Sequence, residues 1–204
     1  MHNCESLYNL TRKPKINDIS LKLLSEYYKK YLLPYKFRYI FDDDKTITLE
    51  FKEEHFCHLI GTESIVRKSV SKNMLKNYRG IAGLQRIDKE ELTFVQLKKF
   101  NKKSFNNVKA KFVYFYLLPK LINTPFAVKF ENSKVNPPTS IKCEILFYSK
   151  VNNDNAIIHL SIEKGSGEYY FPKTFFVEKV SEFKDDIYIR EQTLLTIKNI
   201  DIIE

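Results

Sequence analysis

The chain has 204 residues, of which 43% are hydrophobic and 14% aromatic, and its formal net charge is +9. This composition excludes a disordered chain and fits one globular domain with appended elements. The five glycines form no G-x-G-x-x-G or G-K-[ST] sequence, which excludes the common phosphate-binding loops. Cys4, Cys57 and Cys143 are widely spaced and predict neither a disulfide framework nor a C-x-x-C zinc pair.

The sequence shows no pattern typical of a targeting signal or a membrane span. The N-terminus lacks the charged-then-apolar pattern of a secretory signal. The most apolar stretch, Phe112 to Pro119, is far shorter than the roughly 20 residues that a membrane span needs. We therefore expect a cytoplasmic, reduced protein without membrane contact.

The first third of the chain predicts a helix and a hairpin. Asp18 is an N-cap residue followed by apolar groups at helical spacing, so residues 18–32 are predicted to be helical. Residues 37–41 and 45–51 are predicted strands around the turn-like segment 42–44. This Asp42-Asp43-Asp44 triplet has no second ligand motif, which favours a solvated turn over a metal site.

The middle of the chain predicts helices and holds most of the excess positive charge. Between Ile65 and Lys111 there are thirteen Lys or Arg and three Asp or Glu, against 34 and 25 in the whole chain. Such segregation suits a polyanionic partner, because lysines that neutralise phosphates release condensed counterions. The alternative is a solvated lysine-rich helix face.

One amphipathic helix is predicted from Glu63 to Tyr78, ended by Gly80 and Gly83. Its apolar side is formed by Val66, Val70 and Met74, and its cationic stripe by Lys68, Lys72, Lys76 and the adjoining Arg79. A second helix is predicted from Asp88, as its cap, to about Phe100, and a third from about Ser104 to Leu118, ending at Pro119.

The last third changes to strand periodicity. The predicted strands are Phe126–Phe130, Ile141–Tyr148, Ala156–Lys164 and Tyr169–Val177. Helices followed by a meander of strands predict an α+β fold whose antiparallel sheet is covered on one face by helices. The tail from about Asp185 either adds an edge strand or docks as a helix.

Candidate chemistry is concentrated in residues 53–61, which contain His55 and His58 and end in His-Leu-Ile-Gly. Imidazole both accepts and donates protons near neutral pH, which makes His58 a candidate acid or base beside a cationic segment. The alternatives are a structural His58, a helix-start role for His55, or zinc binding by both histidines with Cys57. Zinc sites need three or four ligands, and no second cluster is visible.

The order of these motifs resembles that of the PBECR group of nuclease domains (phage, barnase, EndoU, colicin and RelE-like). His58-Leu-Ile-Gly61 follows a strand, a Lys/Ser-rich helical segment comes next, and a strand pair leads to residues 168–179, with Pro172-Lys173-Thr174 near their centre. The resemblance spans about residues 36–180. It implies a helical layer against a curved antiparallel sheet, and a ribonuclease that needs no metal or cofactor.

The resemblance also implies roles for single residues. His58 becomes the first acid or base, Lys173 stabilises charge on the phosphate, and Thr174 orients it, whereas the structural alternative is an ordinary edge strand. EndoU relatives usually carry a second histidine. His159 is a candidate because strand alternation places it opposite the apolar face, although an exposed or locally bonded strand histidine is the alternative. His58 and the Lys173–Thr174 pair are expected to converge on one cationic hollow.

Substrate contacts are predicted on the basic segment. The candidates for RNA binding are Lys68, Lys72, Lys76, Arg79, Tyr78 and Lys111. Tyr78 either stacks on a base or is buried, since it is also in register with the apolar side of its helix. An RNA or protein antitoxin is an expected partner, and a homo-oligomer is left open.

The sequence therefore predicts three regions: an N-terminal helical extension (residues 1–35), a nuclease-like domain (residues 36–180) and a packed C-terminal tail (residues 181–204). The leading functional hypothesis is a metal-independent endoribonuclease that acts as a toxin or an abortive-infection effector. The alternatives are a non-catalytic RNA-binding module and a phage interaction protein of the same fold.

Overall fold

The structure, a computed structural model, describes residues 2–151, 153–181 and 186–204. These residues form short helices and an eight-stranded sheet, which confirms the predicted α+β class. The chain divides into two compact units, each built from two segments. The helical unit contains the residues up to Pro34 and Lys52–Leu117, and the sheet unit contains Tyr35–Phe51 and Leu118–Glu204. The sequence-predicted boundaries at residues 35 and 180 stay predictions.

The helical unit consists of short helices and 3-10 turns. Its α-helices are α1 (Cys4–Tyr8), α2 (Leu21–Tyr31), α3 (Phe56–Ile60), α4 (Thr62–Val66), α5 (Lys72–Leu75), α6 (Gly80–Asp88), α7 (Phe94–Phe100) and α8 (Lys102–Tyr114). The side chain of Ser20 caps α2 by accepting the backbone N–H of Leu23 at 3.0 Å. Asp18 instead ends a 3-10 turn, so the predicted cap was two residues too early.

The single helix predicted from Glu63 to Tyr78 is wrong. The structure has α4, a turn, α5 and a 3-10 turn at Lys76–Tyr78 in its place. The Ser69 hydroxyl donates to the Phe100 carbonyl at 2.8 Å, and Ser71 is extended with ψ 158°. Serine side chains favour hydrogen bonds to the backbone and helix-cap positions over helix interiors, so the helix is interrupted between Ser69 and Ser71. Met74 is consequently 49% exposed and does not line an apolar helix side.

The remaining helix ends also differ from the prediction. Asp88 is the last residue of α6, and its carboxylate accepts hydrogen bonds from Ser25 (2.6 Å) and Lys29 (2.5 Å) instead of capping a helix. Thr93 caps α7 in a reciprocal capping box with Gln96. Pro119 does not end a helix, because it lies in the first turn of α9 (Leu118–Asn123), where its missing N–H costs nothing.

An aromatic core positions α3 in the helical unit. The Phe56 ring lies 5.2 Å from the Tyr28 ring and 5.8 Å from the Phe115 ring, and all three residues are buried. The Tyr28 hydroxyl donates to the carbonyl of Lys52 at 2.7 Å, just before α3. Aromatic pairs at these distances add to the free energy of burial, so the start of α3 is firmly held.

The sheet unit contains every strand of the described chain. They are β1 (Lys36–Phe41), β2 (Thr46–Glu50), β3 (Phe126–Lys129), β4 (Ile145–Val151), β5 (Ala156–Lys164), β6 (Tyr170–Lys179), β7 (Thr193–Leu195) and β8 (Ile197–Ile203). The order across the sheet is β7-β3-β4-β5-β6-β2-β1-β8. The predicted hairpin of β1 and β2 and the antiparallel meander β3 to β6 are confirmed. The β2–β6 pair is parallel, which the predicted all-antiparallel sheet did not include.

The C-terminal tail forms edge strands, which was the first of the two predicted alternatives. β7 pairs with β3 and β8 pairs with β1, at opposite ends of the strand order. Only Thr196 separates β7 from β8, and its carbonyl accepts the N–H of Asp42 at 3.0 Å. One short segment therefore reaches both ends of the order, and the sheet is curved and nearly closed.

Apolar side chains fill the interior of the sheet unit. A buried cluster comprises Val128, Phe130, Val135, Leu146, Tyr148, Ile157 and Ile189. Tyr39 packs on Phe147 with ring centroids 4.8 Å apart and donates its hydroxyl to Ile122 at 2.8 Å. Among the residues that the structure describes, no helix combines the length and the apolar composition needed to cross a membrane.

Candidate active site

The His58 segment is an apolar helical turn with one exposed imidazole. In α3 the side chains of Phe56, Cys57, Leu59 and Ile60 are buried, whereas His58 is exposed. The helix ends at Gly61, whose φ is +79° and whose N–H donates to the carbonyls of Cys57 (3.0 Å) and His58 (3.1 Å). A left-handed residue at this position favours glycine, which explains the final residue of His-Leu-Ile-Gly. Four buried neighbours thus hold an accessible imidazole in place.

Lys111 of α8 packs against the end of this segment. A Cβ on Gly61 would lie 3.6 Å from the Lys111 Cδ and 3.5 Å from the Val108 side chain. Lys111 is partly buried, and burial lowers the pKa of its amine from 10.5 to about 8. The helical unit therefore brings a readily deprotonated amine side chain to the segment that carries His58.

His55 has a structural contact at the start of α3. Its Nδ1 accepts the backbone N–H of Lys52 at 3.1 Å, and its Nε2 lies 3.9 Å from a Glu54 carboxylate oxygen. This is the helix-start role that the sequence left as one alternative. In the described ranges, His, Cys, Asp and Glu form no group of three or more that could hold a metal ion.

The basic residues of the middle segment are exposed but do not share one helix face. Lys68 lies in the turn after α4, Lys72 in α5, Lys76 in the following 3-10 turn, and Arg79 next to α6; all four are exposed. The cationic stripe predicted at one-turn spacing therefore does not exist as such. Four exposed cations thus lie on one short stretch of chain, and Nη1 of Arg79 is 4.0 Å from a Glu63 carboxylate oxygen.

Tyr78 is buried, and its ring already has partners. It is 5% exposed, its ring contacts that of Phe100 edge-on at 5.3 Å, and the Arg86 guanidinium lies 4.7 Å from its centroid. A base cannot stack on a ring that is covered in this way. Burial, the second of the two alternatives, therefore describes Tyr78.

Lys173 occupies an irregularity in the β5–β6 pair. Ser161 is paired with Thr174 and Ile162 with Pro172, which leaves Lys173 as the extra residue of a β-bulge. Pro172 suits this position because it has no N–H for a regular ladder. Bulges are frequent beside active sites, where they redirect a side chain. β6 lies between β5 and β2 in the strand order, but it pairs with β2 only through Tyr170 and Leu49. The edge-strand alternative for Lys173 and Thr174 therefore stays a prediction.

The bulge forms a small polar cluster. The Lys173 amine is paired with the Glu163 carboxylate, and both side chains are about one-third exposed, at 32% and 41%. The Ser161 hydroxyl donates to the carbonyl of Thr174 at 3.3 Å, and Thr174 is half-buried. Nearby, burial raises the pKa of the Cys143 thiol to about 12, against the opposing charge of Lys173. A phosphate at Lys173 would have to share its ammonium with Glu163.

His159 is sealed in the sheet unit and is not an acid or base that a phosphodiester can reach. It is 0% exposed, and its Nε2 lies 3.0 Å from Glu178. Its ring is stacked on Phe176 at 4.5 Å, and Tyr188 contacts it edge-on at 5.6 Å. Burial lowers the pKa of the imidazole, against the opposing effect of Glu178. The catalytic assignment of His159 is corrected to a buried, locally bonded histidine.

The structure distributes the candidate residues between the two units. His58 and Lys111 belong to the helical unit, whereas Lys173, Thr174 and His159 belong to the sheet unit. The expected convergence of His58 with Lys173 and Thr174 stays a prediction. Sequence reasoning missed the packing of Lys111 on Gly61, since nothing in the spacing of two distant positions reveals such a contact.

The fold and these residues have the chemical groups of a protein that acts on a phosphodiester. An α+β chain with an exposed histidine, a lysine of lowered pKa beside its segment and a run of exposed cations has the groups that proton transfer and phosphate binding need. The chain belongs to the family described as phage-Barnase-EndoU-ColicinE5/D-RelE like nuclease4, whose model matches residues 21–203. This confirms the resemblance and gives a nuclease role at the level of the family. No curated protein and no solved structure matches the chain.

Proposed function

We propose that the protein is a metal-independent endoribonuclease. The observation that carries the proposal is the match to a nuclease family over residues 21–203, almost the whole chain. The exposed His58 and the segregated positive charge support RNA as the substrate. RNA carries its own nucleophile, the 2′-OH, so an enzyme that provides proton transfer and charge stabilisation can cleave it without a metal.

The proposed reaction needs three functions. A base removes the proton of the 2′-OH, whose oxygen attacks the adjacent phosphorus. An acid protonates the departing 5′-oxygen, and a cation stabilises the charge that develops on the phosphorane. The products are a 2′,3′-cyclic phosphate and a 5′-hydroxyl. His58 is the proposed acid or base, because its imidazole is exposed on a helical turn whose other side chains are buried.

Cationic and polar side chains complete the proposal. Lys173 is proposed to stabilise charge and Thr174 to orient the phosphate; the pairing of Lys173 with Glu163 fixes the direction of its amine. Lys111 is proposed to contact RNA beside His58. Its lowered pKa, about 8, lets the amine exist in both protonation states near neutral pH. The exposed Lys68, Lys72, Lys76 and Arg79 would bind the backbone.

A toxin or an abortive-infection effector is the proposed biological role. An unrestrained ribonuclease harms its own cell, so a cognate RNA or protein antitoxin is part of the proposal. The exposed cations between Lys68 and Arg79 suit an acidic inhibitor as well as a substrate, since both neutralise the same charge.

A non-catalytic RNA-binding module is the second candidate. The burial of His159 favours it, because the second histidine usual among EndoU relatives is then unavailable for proton transfer. Such a module would retain salt-sensitive RNA binding without cleavage. A phage interaction protein would show neither.

Cleavage of purified cellular RNA in EDTA tests the proposal. We expect the wild-type protein to degrade RNA and His58→Ala to lower the rate by about a hundredfold or more, the usual contribution of an acid or base. His2→Ala is the matched control, since it removes a histidine outside α3 and should leave the rate unchanged. Intact RNA with the wild-type protein would reject the enzyme and favour the binding module.

A further inference from the structure

A row of rings crosses four neighbouring strands of the sheet unit. Strand pairing places Phe126 of β3 opposite Tyr148 of β4, Tyr148 opposite His159 of β5, and His159 opposite Phe176 of β6. Directly paired residues lie on the same face of a sheet. The successive centroids are 5.5, 6.5 and 4.5 Å apart, and the first and last of these pairs are stacked. The row is therefore a continuous set of ring contacts.

The row is buried at its centre and open at its Phe126 end. His159 is 0% exposed and Tyr148 is 9% exposed, whereas Phe126 is 63% exposed. The exposed ring is supported by the rings behind it, so it has a fixed orientation and loses little conformational freedom when a ligand stacks on it.

A groove that includes the side chain of Lys150 begins at Phe126, the open end of the row. A cavity of about 400 Å³ is lined by Phe126, Tyr148, Ser149 and Lys150. Lys150 also lines a second cavity of about 350 Å³, together with Asn155 and Asp186 among others. Lys150 is two residues after Tyr148 on β4, about 7 Å further along the same strand face. An aromatic platform is thus followed by an exposed ammonium and then by amide and carboxylate groups.

We infer that this groove binds an unpaired nucleobase of RNA, with the base stacked on Phe126 and the adjoining phosphate on Lys150. This inference rests on the proposed function and adds to it a substrate-binding site away from His58. Stacking on an exposed aromatic ring next to a cation is a common way to hold single-stranded nucleic acid. A double-stranded substrate has no free base face to offer, so the groove selects unpaired segments.

Asp186 modulates this site. Its carboxylate lies 3.8 Å from the Lys150 amine, and the Lys150 side chain is 68% exposed. A weak, solvated pair of this kind contributes little to stability, so a phosphate can displace the carboxylate. Because Asp186 both competes for Lys150 and repels phosphate, its neutralisation should tighten the binding of RNA.

Binding of a non-cleavable probe tests the inference. The probe is a short, fluorescent single-stranded RNA whose 2′-oxygens are methylated, and its affinity is measured by anisotropy. We expect Phe126→Ala to weaken binding roughly tenfold, the usual effect of losing one base–aromatic stack. Phe126→Trp should keep or raise the affinity, and Asp186→Asn should raise it several-fold.

Val95→Ala is the matched control, because Val95 is an equally exposed apolar side chain, at 62%, in the helical unit. It should leave the affinity unchanged. Equal affinities for Phe126→Ala and Val95→Ala, or no measurable binding by the wild-type protein, would overturn the inference. All variants change exposed or half-exposed side chains, and thermal unfolding checks that they remain folded.

Cleavage separates this inference from the proposed function. If the wild-type protein cuts RNA in EDTA while Phe126→Ala binds the probe normally, the stacking site is rejected and the nuclease stands. If Phe126→Ala weakens binding but no RNA is cut, the stacking site stands and the protein is an RNA-binding module.

Discussion

At the scale of single residues, the environments of His58 and His159 decide which histidine can act on a substrate. Both stand in segments of mainly apolar residues, and the sequence left both open as candidates. His58 has buried neighbours and is itself exposed, whereas His159 is fully buried against Glu178 and Phe176. The difference arises from rings that other strands supply, which no local pattern around position 159 contains.

Lys111 gives a pH prediction at the same scale. Its amine has a pKa of about 8 in the folded chain, against an ordinary value of 10.5. Between these two pH values the unfolded state therefore binds more protons than the folded state. Burial of the charged Lys111 amine destabilises the fold fully below about pH 8, and this destabilisation decreases as the pH rises. We expect the free energy of unfolding to rise by roughly 2 kcal/mol between about pH 7 and about pH 9.5.

Urea unfolding of Lys111→Met at the two pH values provides the measurement. The variant should be more stable than the wild type near neutral pH and should lose this part of the pH dependence. Lys109→Met changes an exposed lysine of the same helix and should behave like the wild type. If the stability of Lys111→Met varied with pH as that of the wild type does, the lowered pKa of Lys111 would be contradicted.

At the scale of elements, the end of α3 is a turn with a constrained backbone. Gly61 has φ +79°, and a Cβ there would meet its neighbours at 3.4 to 3.6 Å. We expect Gly61→Ala to lower the free energy of unfolding by about 1 kcal/mol, chiefly through the left-handed backbone. Gly61→Asn should cost less, since Asn tolerates this conformation.

Denaturant unfolding checks this prediction, with Gly167→Ala as the control. A Cβ at Gly167 has no neighbour within 4 Å, and its φ is outside the left-handed region. Equal losses for Gly61→Ala and Gly61→Asn would show that crowding, and not the backbone conformation, sets the cost.

The elements also show which structure a sequence can predict. The hairpin of β1 and β2 was predictable because alternating apolar residues flank an aspartate turn, and Asp43 indeed accepts the N–H of Lys45 at 3.1 Å. The break after α4 was not, because a bond from Ser69 to distant Phe100 helps to hold it. Apolar and lysine spacing alone predicted a continuous helix there.

The same distinction applies to the candidate site. His58 and the Lys173–Thr174 pair could be proposed from short motifs, whereas the bulge at Lys173 depends on how β5 and β6 pair. The pairing of Glu163 with Lys173 could not be predicted, because it depends on the register between the two strands. The ring row from Phe126 to Phe176 depends on the register of three strand pairs, which tertiary packing decides.

At the scale of the whole molecule, the family match and the distribution of charge both support a nuclease. The match to a nuclease family covers residues 21–203, and the positive charge is concentrated in the middle of the chain. The nuclease proposal assigns this charge to RNA binding and His58 to proton transfer. The assignment of His58 depends on RNA providing its own 2′-OH as the nucleophile.

The nature of the cut ends is therefore the most direct test. A defined single-stranded RNA and the same RNA with methylated 2′-oxygens are incubated with the protein in EDTA, and the product ends are identified by mass spectrometry. The account predicts fragments with 2′,3′-cyclic phosphate and 5′-hydroxyl ends from the first RNA and no cleavage of the second. Cleavage of the methylated RNA, products with 5′-phosphate ends, or no cleavage of either RNA would contradict it.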